Sequence, residues 1–159
     1  MKISQLIAKQ TILRGSRGLG HCWALLLLFY LIAVALLDPQ EVSNREYLRF
    51  VQATGHSPPE YWSNGRFPEG ADDDPVVLVN WYEAMSYCRW MGRRLPTVDE
   101  WIATCHAGKL IKRGDIWEWT ASDIKTNGQN YKVLCGPAAS CDCSHRYLPE
   151  WKNDVKGFR

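Results

Sequence analysis

The chain has 159 residues, with 19 Lys and Arg against 17 Asp and Glu, for a formal net charge of +2. The surplus lies in Lys2, Lys9, Arg14 and Arg17, all before residue 22, while EGADDD at 69–74 leaves the remainder slightly acidic, which excludes a nucleic-acid partner. This length allows one modest core, and eight Trp and seven Tyr supply bulk for it or for a recognition surface.

In chain order, the basic N-terminus is followed by CWALLLLFYLIAVALL at 22–37, a stretch without a charge, and then by Asp38 and Glu41. That polarity reads as N-terminus inside and domain outside. The run is somewhat short for a membrane span, and AVA at 33–35 resembles a signal-peptidase site, so anchor and cleaved signal are both open. The organisation predicted is a basic N-terminus with a transmembrane anchor or signal segment at 1–37 and a domain at 38–159. The localisation predicted is a single-pass membrane protein with its C-terminal domain outside the cytoplasm, or a secreted or periplasmic protein after cleavage.

Three helix starts follow, each a capping residue with Glu three places on, so that exposed N–H groups are satisfied from both sides: Ser43/Glu46, Asn80/Glu83 and Thr97/Glu100. The helices are expected to stop at Gly55, Gly92 and Gly108. GHSPPEYWSNGRFPEGADDD at 55–74 precludes regular structure. The expected strands are PVVLV at 75–79, IWEWT at 116–120, YKVL at 131–134 and KGFR at 156–159. On such a strand Trp117 and Trp119 share one face and Glu118 takes the other. The two tryptophans are either core or an aromatic wall beside a substrate peptide.

The domain holds five cysteines, Cys88, Cys105, Cys135, Cys141 and Cys143, and an odd number leaves at least one thiol unpaired or paired between chains. Three of them crowd into CGPAASCDCSHRY at 135–147. A metal pair, a disulfide and thiols without a role all remain open there. His56, His106 and His145 have no partner at metal-ligand spacing.

EVSNREYLRFVQATGH, PVVLVNWYEAMSYCRWMGRRLPTVDEW, DIWEWTASD and GFR occur in an order that resembles the formylglycine-generating enzyme, or sulfatase-modifying factor, family over nearly all of 41–159. The resemblance implies an α+β fold, an irregular variant of the C-type lectin architecture. It also implies copper(I) held between two thiolates, a donor type suited to that soft ion, and oxidation of a cysteine in a protein substrate. In the family a strand leads into Arg-Gly-Gly-Ser, two residues, Cys, four residues and a second Cys. Carried over, Cys141 stands at the first copper-ligating Cys and Arg146 at the second, with Ala138 at the Ser. Cys141 and Cys143 are then the candidate catalytic and metal residues, and Trp117, Trp119 and Arg146 the candidate substrate-binding residues. The family's calcium-ligating segment shrinks here to 102–116, so structural calcium is not expected.

Two functions follow: an exported, membrane-tethered oxidase acting on a cysteine of a protein or peptide substrate, or a non-catalytic module that presents Tyr61, Trp62, Arg66 and Trp151 to a protein or glycan. The missing second ligand at Arg146 tilts the reading toward an inactive member.

Overall fold

The computed structural model describes residues 37–159 apart from 112 and 114, and each expected capping box is present in it. Helix α1 (Asn44–Thr54) begins at Ser43, whose hydroxyl accepts from the Glu46 N–H while the Glu46 carboxylate accepts from the Ser43 N–H. Helices α2 (Trp81–Trp90) and α3 (Val98–His106) repeat the device with Asn80/Glu83 and Thr97/Glu100. The predicted membrane segment lies almost wholly outside the described residues. Among those described, no helix is long and apolar enough to cross a membrane.

Four strands form one sheet in the order β3-β2-β1-β4: β1 (Trp117–Thr126), β2 (Gln129–Cys135), β3 (His145–Tyr147) and β4 (Lys156–Gly157). β1 and β2 are an antiparallel hairpin in which Thr126 pairs with Gln129. Its two-residue turn, Asn127 and Gly128, has φ of 52° and 80°. Asn-Gly suits such a hairpin turn because both residues tolerate positive φ. β4 lies parallel to β1, and β3 is antiparallel to β2.

The expected strand at 75–79 does not form. The only pairing there is an isolated bridge between Ser43 and Pro75, and Leu78 has a φ of 54°, outside the extended region. That turn of the backbone directs the Leu78 N–H to the Asn153 carbonyl and the Val79 carbonyl to the Trp119 indole N–H. The apolar run thus marks burial: Val76 and Val79 are sealed in the core.

Alternation along β1 divides the core between the two faces of the sheet. Trp117 and Trp119 lie with the larger cluster, built from Tyr47 and Phe50 of α1, Ala84, Tyr87 and Cys88 of α2, and Leu95, Leu134 and Phe158. Glu118 and Cys135 face the other way, toward α3, where Trp101 and Cys105 form a second cluster with the cysteine loop packed on it. A bulge between Trp119 and Asp123 lets β1 receive the N-terminus of α3: the Ala121 N–H reaches the Pro96 carbonyl, and the Ser122 hydroxyl accepts from the Val98 N–H. The result is a mixed α+β domain with helices against both faces of a small sheet.

Candidate functional site

The loop at 136–144 joins β2 to β3 and is held at both ends by sulfur. Cys105 at the end of α3 is bonded to Cys141, and Cys135 at the end of β2 is bonded to Cys143. Cys141 has a φ of 50°, and the Gly136 N–H closes the loop by donating to the Asp142 carbonyl at 2.7 Å. Gly136 itself has a φ of 140°, and a Cβ there would collide with the Ile116 carbonyl oxygen. This position therefore takes only glycine.

Cys88, the free cysteine among the described residues, is buried in α2, and burial pushes its thiol up to about 12. A thiol so protonated is neither a nucleophile nor a ready metal ligand at neutral pH.

The candidate residues separate. Trp119 is fully buried, and its indole N–H is spent on the Val79 carbonyl, so it belongs to the core. Trp117 is half-buried, with the His145 ring 3.6 Å from its own between centroids. Arg146 is exposed on β3 and donates to the carbonyls of Cys143 and Ser144. Of the other suggested anchors, Trp62 lies in the core, Tyr61 is half-buried, and Arg66 and Trp151 are exposed.

Copper(I) implies two thiolates on opposite sides of the ion. In the bonded state described, the sulfurs of Cys141 and Cys143 are each committed to another sulfur, and Arg146 is a donor with no lone pair to give. These residues as bonded do not fit the ion. Among the described residues no three His, Cys, Asp or Glu side chains converge on a common point.

Sequence reasoning missed β3 and, with it, a second cluster on the opposite face of the sheet from the disulfides. His145 and Tyr147 of β3 are stacked, with ring centroids 6.3 Å apart and planes within 3°. Tyr147 also meets Trp151 at 5.7 Å, and the Lys156 ammonium lies 3.3 Å from the Tyr147 ring centroid. The available signal was the alternation of His145 and Tyr147 about Arg146.

The family model for the sulfatase-modifying factor enzyme 1-like domain matches residues 32–113, ending ahead of β1 and the cysteine loop. The formylglycine-generating enzyme of Bos taurus is 30% identical over 136 residues, covering 60% of this chain and 35% of that protein. The stretch matched is longer than the part of this chain aligned to it, so that protein carries residues there that this chain lacks. A protein named inactive C-alpha-formylglycine-generating enzyme 2, from Mus musculus, is 44% identical over 147 residues, covering 54% of this chain and 48% of that protein. The serine/threonine-protein kinase Pkn1 of Chlamydia trachomatis serovar L2 is 34% identical over 89 residues, 46% of this chain and 14% of the kinase. The chain thus spans about a third to a half of the length of the two formylglycine-generating-enzyme relatives.

Proposed function

The chain belongs to the sulfatase-modifying-factor family, and we propose that this member is an exported, membrane-tethered domain that binds a protein or glycan without oxidising it. The observation that carries this reading is the pairing of Cys105 with Cys141 and of Cys135 with Cys143. Oxidase chemistry of the family type needs thiolates at this loop, and both candidate sulfurs are committed elsewhere. Arg146 at the position of the second ligand and Ala138 in place of a hydroxyl support the same conclusion.

Two disulfides within so short a domain favour an oxidising compartment. The apolar run at 22–37, preceded by basic residues, supplies the tether. The relative named inactive supports a non-catalytic role on this framework, and the kinase supports a module's role, since the match occupies a small part of that protein. Exposed aromatic side chains such as Trp151 are the anchors a binding surface uses.

Non-reducing peptide mapping of the exported chain tests the basis of the reading. The expected result is the two bridges, with Cys88 free. The copper-supplied chain should leave the cysteine of a Cys-x-Pro-x-Arg peptide, the family's substrate motif, unchanged. Formylglycine in that peptide, lost in Cys141→Ser, would overturn the non-catalytic reading. Protease added to intact cells should remove 38–159, and full protection would overturn the proposed topology.

A further inference from the structure

Lys156 is the least well satisfied cation of the described domain. Parallel pairing of β4 with β1 sets it beside Trp117, in the interior of the fold, where it keeps 2% of its surface open. A buried ammonium ordinarily has a carboxylate or several acceptors around it. Among the described residues Lys156 has neither a hydrogen-bond acceptor nor an ion-pair partner for its side chain. Its contacts are aromatic faces, Tyr147 at 3.3 Å and Trp151 at 5.9 Å from Nζ to the ring centroids. Burial alone lowers its pKa, and no neighbouring acid opposes that shift. The basic side chains nearest in sequence do not share its situation: Lys152 is paired with Glu83 at 2.7 Å, and Arg159 is paired with Glu118 and Glu41.

A second group close by is also incomplete. His145 lies between Trp117 and Tyr147, and its Nδ1 is buried without a hydrogen-bond partner. Lys156 and His145 thus flank Tyr147, each with hydrogen-bonding capacity unused. On the outer side stands Trp151, 54% exposed, in a turn closed by its own N–H to the Leu148 carbonyl. Its ring stands 5.9 Å from Lys156 Nζ, at the solvent edge of the cluster. An ammonium and an imidazole with unused capacity, set among the rings of Trp117 and Tyr147 with the exposed indole of Trp151 at the edge, form the complement of an acid with an apolar body.

We propose that Lys156, His145, Tyr147 and Trp151 form a binding site for a small carboxylate bearing an aromatic or apolar body. Its carboxylate accepts from the Lys156 ammonium, and its body lies against Trp151. Charge-assisted hydrogen bonds of this kind are the stronger class, and a water-poor setting strengthens them further. The site is on the sheet face opposite the disulfides, and the copper question does not bear on it.

The probe is phenylacetate, with phenylacetamide as the uncharged analogue, titrated against the full chain and followed by tryptophan fluorescence. Saturable binding of phenylacetate is expected, with phenylacetamide at least about tenfold weaker and with the same loss of phenylacetate affinity in Lys156→Met, the scale of one hydrogen bond to a charged group. Equal binding of acid and amide, equal binding by Lys156→Met, or no saturable response would each overturn the proposal. Should Lys156→Met fail to fold, the comparison of acid with amide on the parent chain decides the proposal by itself. Trp151→Ala, at an exposed position, is the independent variant: several-fold weaker binding is expected, and unchanged affinity would remove the indole from the site and overturn the geometry.

Discussion

Arg159 donates to both carboxylate oxygens of Glu118, and neither side chain has any exposed surface. Around this fork, Arg159 also reaches Glu41 at 3.0 Å and the Pro39 carbonyl, while the Trp101 indole N–H donates to Glu118 at 2.8 Å. The cluster joins the segment before α1 to β1, α3 and the residues after β4. Replacing Arg159 by Met would leave two carboxylates buried without a cation, and breaking such a pair costs about 3–5 kcal/mol. Urea denaturation should show that loss. The double variant Arg159→Met/Glu118→Gln should recover part of it, because the second change removes one stranded charge.

Gly136→Ala should be strongly destabilising for its size. The added methyl meets the Ile116 carbonyl oxygen and lies 3.1 Å from the Trp117 Cα, and both are backbone that a rotamer change cannot move. The φ of 140° adds strain for any residue with a Cβ. A fall in melting temperature is expected, together with incomplete formation of the Cys135–Cys143 bridge on non-reducing mapping. An alanine variant with parent stability and intact bridges would refute this account of the loop.

The two bridges should contribute unequally. Cys105–Cys141 spans 36 residues of sequence and Cys135–Cys143 spans 8. If the bridges act by restricting the unfolded chain, the longer loop contributes about 1 kcal/mol more. Paired Ser substitutions, Cys105→Ser/Cys141→Ser against Cys135→Ser/Cys143→Ser, followed by denaturant unfolding, measure the difference. The reverse order would assign the larger effect to packing of Cys135, which is fully buried against Trp101.

The three helices were legible because their signals are local. Ser43/Glu46, Asn80/Glu83 and Thr97/Glu100 each satisfy N–H groups within one turn, whatever the rest of the chain does. The strands were half legible. β1 announces itself by alternation over 116–120, but it runs on to Thr126 and enters the Asn127-Gly128 turn, a local hairpin signal that the alternation alone does not carry. The run at 75–79 failed as a strand because burial of Val76 and Val79 needs apolar side chains but not a ladder, and Leu78 turns away to meet Asn153. At the candidate site, the three cysteines of the loop were visible as a cluster, yet Cys105 is 30 or more positions away and only the packing of α3 on the sheet brings it to Cys141. The cluster around Lys156 had the same obstacle, since parallel pairing of β4 with β1 is a tertiary fact.

Acid should loosen the start of α3 through Glu100. Its carboxylate accepts two hydrogen bonds from the Arg94 guanidinium, at 2.7 and 2.6 Å, and one from the Thr97 N–H at 2.8 Å. The Arg94 hydrogen bonds are the chief cause that holds Glu100 down to about 2 from its ordinary 4.5, with the Thr97 N–H adding to them against the opposing effect of burial. The folded state therefore binds this proton less readily than the unfolded state does. The resulting stabilisation is fully present above about pH 4.5 and is lost as the pH falls toward 2. Glu100→Gln keeps an oxygen for the Thr97 N–H but loses the charge facing Arg94. At pH 7 the variant should be less stable than the parent, and the difference should shrink as the pH is lowered through that window. Denaturant midpoints measured at pH 7, 4 and 2.5 check this. A difference that stays constant across the three would mean that Glu100 acts through shape alone and that its charge contributes nothing to holding α3.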